Sequence, residues 1–299
     1  MGMIEDPRGR IDYAERGSGP TIVLVPGSCS TGAAWRPVLA AWGDRFRCIT
    51  TSLLGYGGTS ERRSLRDRSI GHEADALEAV IRKAGGAVHL VGHSFGGLVA
   101  IAVALRKRAP LASLTVIEAP AAELLRDDGD RRHYRAFREM TDGYFAAVRS
   151  GDSQAIATVI DFFGGGRTFA SWPPRVRSYA VETTAVNMMD WASLYGFPLS
   201  VAALKAIDIP ALVLWGEASH PAMQRASILL AEAMSHTAAI EIPGAGHFMI
   251  ATHAAAIGRL IAQHVYGAQA LTPAGSEPNF QAETAAAHSR ARSFAGRSR

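Results

Sequence analysis

The sequence predicts an α/β fold with a mostly parallel central sheet, and three observations favour it. Short apolar runs bounded by glycine, proline or serine have the continuous hydrophobicity of strands buried on both faces. Helical patterns separate these runs along much of the chain, which is the alternation typical of parallel sheets. The chain has 299 residues, 48% of them apolar, enough for one large domain with a sizeable core.

The predicted elements follow one another in order. Apolar and polar residues alternate along the stretch RIDYAERGSGP, which ends in a Gly-Pro turn. This pattern indicates an antiparallel edge strand or hairpin. Six buried strands are predicted at residues 21–25, 48–52, 88–91, 114–117, 211–214 and 239–242. Helices are predicted at residues 70–83, 95–106, 222–234 and 254–264.

The alternation breaks in one place. Residues 121–200 read as successive helices without a strand, which predicts a helical cap inserted into a sheet domain formed by residues 1–120 and 201–266. From about residue 267 the chain is rich in Ala, Ser, Gly, Pro and Arg and poor in large apolar residues. Such a composition predicts a disordered tail over residues 267–299.

Composition and charge argue against several classes of protein. The formal charge is +4, but the arginines alternate with acids, as in RDDGDRRHYRAFRE, which favours a solvated helix over a nucleic-acid site. No apolar run is long enough to span a membrane, and the N-terminus has no apolar signal region, so the expected location is cytoplasmic. Cys29 and Cys48 are expected to be reduced thiols. No spacing of His, Cys and Asp predicts a metal site. The oligomeric state stays open.

The stretch VHLVGHSFGGLVA contains the clearest chemical motif. Ser94 lies between Gly92 and Gly96, directly after a predicted strand and directly before a predicted helix. A serine exposed at such a turn needs strained backbone angles and flanking residues without side chains. It then lies at the positive end of the following helix, where a developing oxyanion is stabilised. Ser94 is therefore the predicted nucleophile.

Four local patterns together resemble the α/β-hydrolase superfamily over about residues 11–266. LVPGSCSTGAAW resembles the oxyanion loop, LLGYGGTS the loop after the next strand, GHSFGG the nucleophile elbow, and IPGAGHF the loop of the catalytic histidine. Two residues depart from the pattern: Pro26 replaces the usual His before Gly27, and Ser52 stands where many relatives have Asp. These departures concern loop bracing and substrate class.

The resemblance implies roles for further residues. His247 follows a predicted strand and a Pro-Gly-Ala-Gly turn, in the superfamily's order for the general base, and imidazole suits that role near neutral pH. The oxyanion donors implied are the backbone N–H groups of Phe95 and Ser28. Cys29 is an alternative second donor, although a small buried apolar residue is the expected interpretation of it.

The acid of the triad is the open question. The superfamily usually places it after the strand ALVLW, where this chain has Ser219. Glu118 ends the strand that follows the nucleophile helix. Adjacent strands of a sheet lie about 4.8 Å apart, so an acid at the end of this strand can reach the histidine loop. A similar arrangement with a Glu at this place occurs in one group of haloalkane dehalogenases. Glu217 is the alternative acid, and a Ser-His dyad with water is a third possibility.

These observations predict a cofactor-free serine hydrolase that acts on a small apolar ester through a covalent acyl-enzyme. The aromatic and Met-rich residues between 137 and 191 favour an apolar pocket over Ser94. A C–C bond hydrolase or a perhydrolase uses the same triad and stays an alternative. The missing aspartate supports a further alternative, a non-catalytic ligand-binding member of the fold.

Overall fold

The chain folds around one eight-stranded sheet. The computed structural model describes residues 2–271. The strands are β1 (Gly2–Asp6), β2 (Gly9–Arg16), β3 (Thr21–Val25), β4 (Arg47–Thr51), β5 (Val88–His93), β6 (Leu111–Ile117), β7 (Ala211–Gly216) and β8 (Thr237–Ile242). Their order across the sheet is β1-β2-β4-β3-β5-β6-β7-β8. The strands from β4 to β8 in this order are parallel, whereas β1 and β2 form an antiparallel hairpin at one edge. The predicted sheet and edge hairpin are confirmed.

Helices flank the sheet and follow most of its strands. They are α1 (Arg36–Trp42), α2 (Gly71–Ala84), α3 (Phe95–Arg106), α4 (Ala122–Asp127), α5 (Arg132–Arg149), α6 (Ile156–Gly164), α7 (Thr168–Ser171), α8 (Pro174–Glu182), α9 (Thr184–Tyr195), α10 (Val201–Lys205), α11 (Pro221–Ala233), α12 (Met249–Thr252) and α13 (Ala254–Leu271). A short 3₁₀ turn, Gly32–Trp35, precedes α1.

Both faces of the sheet are buried, which explains why the strands are apolar at consecutive positions. Along β3, Ile22 and Leu24 pack into a cluster with residues of α1 and α13. The alternating neighbours Val23 and Val25 pack into a second cluster that contains residues of α2, α3 and α11. Successive side chains of a strand point to opposite faces, so both sets must be apolar when helices cover each side.

The expected interruption lies between β6 and β7. Within residues 2–271, the segment between these strands contains helices α4 to α10 and no strand. We call this segment, residues 122–205, the helical insertion. Two of its large aromatic residues, Phe137 and Tyr144, are fully buried and hold its helices together. The expected boundary at residue 200 falls just before α10.

The predicted start of the disordered tail is wrong. Helix α13 continues to Leu271, five residues into the range that was expected to be disordered. Gly267 misled the prediction, because glycine costs a helix only about 1 kcal/mol and Ala and Leu follow it. The rest of that prediction, residues 272–299, lies outside the described residues. Among residues 2–271, no helix combines the length and the apolar character that a membrane span requires.

Candidate active site

Ser94 occupies a strained turn between β5 and α3. Its φ angle is +55°, in the region that non-glycine residues rarely adopt. Glycines make this turn possible, because a Cβ on Gly92 would lie 2.4 Å from the carbonyl oxygen of Gly96. A Cβ on Gly96 would lie 2.2 Å from the carbonyl oxygen of Pro26. The Ser94 N–H donates to the carbonyl oxygen of Ile117 at 2.8 Å, which fixes the turn against the end of β6.

His247 lies in the loop after β8 and reaches Ser94. The distance from its Nε2 to Ser94 Oγ is 3.1 Å, and both residues are buried. The loop is anchored by His93, whose Nε2 donates to the carbonyl oxygen of His247 at 2.8 Å. Burial, followed by the neighbouring His247, lowers the pKa of the His93 imidazole to about 3, so this side chain remains neutral. His93 therefore supports the loop that carries His247.

Glu118 lies directly behind His247. Its Oε2 accepts a hydrogen bond from His247 Nδ1 at 2.6 Å, and the residue has 0% exposure. Its Oε1 accepts from the N–H of Gly216 at 2.8 Å and from the hydroxyl of Ser219. Burial acts to raise the pKa of Glu118, but His247 and these donors outweigh burial and lower it below the ordinary value. The result is an ionised carboxylate held by three donors.

The other expected acid lies elsewhere. Glu217 is exposed, and its Oε2 accepts from the N–H of Gly244 at 2.8 Å, so the structure does not bring it to His247. Ser219, at the superfamily's usual acid position, supplies a hydroxyl to Glu118 instead of a charge to His247. Within residues 2–271, Glu118 is the carboxylate in contact with the histidine.

The two expected oxyanion donors line the same cavity as Ser94. Among the described residues, neither the N–H of Phe95 nor that of Ser28 has a hydrogen-bond partner. Gly27 allows the oxyanion loop to approach, since a Cβ there would lie 2.9 Å from Ser94 Cβ. Cys29 adopts φ +56° and is buried, with burial raising the pKa of its thiol to about 12, which fits an inert small residue.

A cavity of about 610 Å³ opens over Ser94 between the sheet and the helical insertion. Carbon surface dominates its walls, and Phe163 stacks on the imidazole of His247 with ring centroids 4.5 Å apart. The ring of Trp191 lies nearly parallel to Phe163 at 6.2 Å. The size and lining suit a small, largely apolar ligand. No group of His, Cys, Asp and Glu in residues 2–271 could hold a metal ion.

A buried polar network borders this cavity and was missed from the sequence. Asp190 on α9 accepts hydrogen bonds from Ser28 Oγ at 2.6 Å and from the Tyr56 hydroxyl at 2.7 Å. Arg63, from the loop after β4, donates to Asp190 at 2.7 Å and also contacts Glu73. The side chains of Arg63 and Asp190 are 0% and 3% exposed. No sequence motif signals this contact, because the partners are separated by 127 residues.

Comparison with known proteins identifies the family of the chain. A model described as the alpha/beta hydrolase family matches residues 22–260. The chain belongs to the alpha/beta hydrolase family. The expected superfamily and the α/β-hydrolase fold are thus confirmed.

Individual relatives of this family member are distant. Haloalkane dehalogenase 2 of Mycobacterium tuberculosis is 34% identical over 104 residues, which are 34% of this chain and 36% of the dehalogenase. The chain therefore matches about a third of the length of that relative. The (E)-2-((N-methylformamido)methylene)succinate hydrolase of Acinetobacter baylyi is 23% identical over 79% of this chain and 87% of its own. A thermophilic esterase structure from Thermogutta terrifontis superposes with a TM-score of 0.72 at 21% identity, covering 90% of this chain and 99% of the esterase.

Proposed function

We propose that the protein is a serine hydrolase that cleaves small, largely apolar esters without a cofactor. The observation that carries the proposal is the unbroken hydrogen-bond chain from Ser94 through His247 to Glu118, at 3.1 and 2.6 Å, on the floor of an apolar cavity. A nucleophile, a base in reach of it and a group that orients the base are the minimum machinery for acyl transfer.

The reaction proceeds in two stages. Ser94 Oγ attacks the ester carbonyl while His247 Nε2 takes its proton, and the oxyanion accepts hydrogen bonds from the N–H groups of Phe95 and Ser28. His247 then gives the proton to the leaving alcohol, which leaves an acyl group on Ser94. Water attacks this acyl-enzyme with His247 again as base, and the carboxylic acid departs. Glu118 holds the Nδ1 proton and stabilises the imidazolium in both stages.

The nucleophile argues against displacement of a halide, the reaction named for the dehalogenase relative. A serine oxygen that displaces a halide from an alkyl carbon forms an ether. Water with a histidine base does not cleave an alkyl ether, so the enzyme would not be regenerated. Attack on a carbonyl forms an ester, which the same histidine can hydrolyse. A carbonyl substrate therefore fits Ser94, whether the bond broken is C–O, or C–C in a diketone.

A fluorophosphonate probe tests the proposal directly. We expect covalent labelling at Ser94, read by mass spectrometry of the modified peptide, and none in Ser94→Ala. A panel of p-nitrophenyl acetate, butyrate and octanoate, with one meta-cleavage-type diketone, then separates ester from C–C hydrolysis. Absence of labelling together with absence of turnover on the whole panel would favour the non-catalytic alternative.

A further inference from the structure

One polar stretch of the cavity wall includes part of the oxyanion loop. It consists of Ser28 from the oxyanion loop and of Asn187 and Asp190 from α9, whereas Ile160, Phe163 and their neighbours supply carbon surface. Asn187 and Asp190 are three residues apart and so lie on one face of α9. We call Ser28 and Asn187, with Asp190 behind them, the polar wall.

Asp190 determines which atoms of Ser28 are available. Its carboxylate already accepts from Arg63, Tyr56 and Ser28, at 2.7, 2.7 and 2.6 Å. Burial raises the pKa of Asp190 above its ordinary value, while the charged guanidinium of Arg63 and the hydrogen bonds from Ser28 and Tyr56 act to lower it. Both hydroxyls donate to Oδ2 and the guanidinium donates to Oδ1, so the carboxylate accepts at each of these contacts. The hydroxyl proton of Ser28 is therefore committed to Asp190, and the lone pairs of Ser28 Oγ remain free to accept a hydrogen bond from a ligand.

Asn187 is the unsatisfied member of the polar wall. The residue is only 2% exposed, and its Oδ1 has no hydrogen-bond partner among residues 2–271. An unpaired buried polar atom is costly, and native structures keep few of them. The side-chain amide offers both N–H donors and an acceptor oxygen. Oδ1 is enclosed by protein, whereas the amide N–H groups make no hydrogen bond with residues 2–271, so they are the atoms of this cavity-lining residue that can bond to a ligand.

A hydroxyl group is the ligand feature that matches both residues. It can donate its proton to Ser28 Oγ and at the same time accept from the amide N–H of Asn187. Ser28 follows Gly27, which packs against Ser94, and the Ser28 N–H is the proposed oxyanion donor. A group bound to Ser28 Oγ therefore lies beside the reacting carbonyl.

We propose that Ser28 and Asn187 form a hydroxyl-binding subsite, and that the substrates are apolar esters with a hydroxyl on the carbon next to the scissile carbonyl. This inference rests on the proposed ester hydrolysis at Ser94. It assigns the substrate class, 2-hydroxy acyl esters, through two residues that do not carry out the proton transfers.

Methyl mandelate and methyl phenylacetate provide the test, since they differ only by this hydroxyl. Each kcat/KM is divided by the rate constant of alkaline hydrolysis of the same ester, which removes intrinsic reactivity. We expect the wild-type protein to prefer one mandelate enantiomer over phenylacetate by at least about tenfold, because a site built around a hydroxyl discriminates against its absence. The two enantiomers react equally with hydroxide, so an enantiomer preference above about fivefold is the second expected result.

Asn187→Leu keeps the side-chain volume and removes its polar atoms. We expect the mandelate-to-phenylacetate ratio to fall below about threefold in this variant, and Asn187→Ala checks the result with a smaller side chain. Ala185→Ser, on the exposed part of the same helix, is the matched control and keeps the wild-type ratio.

The outcomes separate the two proposals. Equal normalised kcat/KM values for both esters, with Ser94 still labelled by the fluorophosphonate, would overturn the subsite and leave ester hydrolysis standing. A wild-type preference that survives unchanged in both Asn187 variants also overturns it. Absence of both labelling and turnover overturns the subsite and the proposed function together.

Discussion

The sheet side of the cavity and its helical side differ in how their polar atoms are engaged. On the sheet side, Ser94, His247 and Glu118 follow the ends of β5, β8 and β6, and their side chains form one hydrogen-bond chain. On the helical side, carbon surface dominates and the amide of Asn187 lacks a partner. The triad is already connected without a ligand, which suits chemistry, whereas the free amide on the helical side is available to a ligand, which suits the proposed selection.

The largest expected effect comes from breaking the sheet side. Glu118→Gln keeps the shape of the side chain but removes the charge that holds the correct histidine tautomer. We expect kcat to fall by about 10⁴-fold, and by at least about 10²-fold, with the fold intact by circular dichroism.

Glu217→Gln is the matched control for this change. Glu217 is exposed and bonded to the loop backbone, so its variant keeps wild-type turnover. A loss below about tenfold for Glu118→Gln would rule out Glu118 as the orienting acid.

The second prediction tests whether the two sides are separate. Asp190→Asn removes the charge that pairs with Arg63 and weakens the acceptor that holds Ser28. If the oxyanion loop depends on this contact, kcat falls by about tenfold to a hundredfold. A displaced Ser28 N–H stabilises the transition state little better than a missing one. Steady-state kinetics that separate kcat from KM provide the measurement.

Stability provides a second readout for the same variant. Loss of one partner of a buried guanidinium lowers the free energy of unfolding by up to about 3–5 kcal/mol. Glu61 and Glu73 remain near Arg63 and reduce this destabilisation. Met189→Leu, at a neighbouring residue that does not line the cavity, is the control. An unchanged kcat with a raised KM would show that Asp190 serves binding alone.

A smaller effect is expected at the position where relatives place their acid. Ser219→Ala removes one of the three donors to the Glu118 carboxylate. A hydrogen bond to a charged group contributes about 1.5 kcal/mol or more, which corresponds to about tenfold in kcat if the donor orients the carboxylate. The buried Ser227, which has no contact with the triad, is the control as Ser227→Ala. If both variants show the same turnover, Ser219 only braces the loop and does not orient Glu118.

The smallest expected effect is a pH dependence of stability. Burial raises the pKa of Glu73 to about 8 from an ordinary value of 4.5, despite the opposing effect of Arg63. The folded protein then retains a proton that the unfolded chain releases, so stability is lost as the pH rises from about 4.5 towards 8.

Glu73→Gln removes this loss. We expect the Tm of the variant, relative to wild type, to be several degrees higher at pH 9 than at pH 5, since each pKa unit corresponds to about 1.4 kcal/mol and each kcal/mol shifts the Tm of a large domain by about 2–4 °C. Exposed Glu182→Gln provides the control. A Tm difference that does not change with pH would show that Glu73 titrates normally.

The sequence was most informative where the backbone itself dictates the residue. Ser94, Glu118 and His247 follow strands, and the ends of parallel strands meet at one edge of a sheet, so their proximity followed from the element order. The glycines around Ser94 were equally informative, because the turn leaves no room for a Cβ at Gly92 or Gly96. The spacing of adjacent strands favoured Glu118 but left Glu217 and a dyad open, and the contact with His247 is visible only in the folded chain.

The polar wall could not be predicted in this way. Asn187 and Asp190 lie in a helix whose remaining residues gave only an apolar, Met-rich pattern. Their contacts depend on how α9 packs against two loops more than a hundred residues away, and no local propensity encodes that packing.

The hydrogen bond between Ser28 and Asp190 also constrains motion. It joins the oxyanion loop to α9, so any movement that lifts α9 from the sheet must break it or carry the loop along. A movement of α9 away from the sheet therefore either releases the Ser28 hydroxyl or shifts the oxyanion loop.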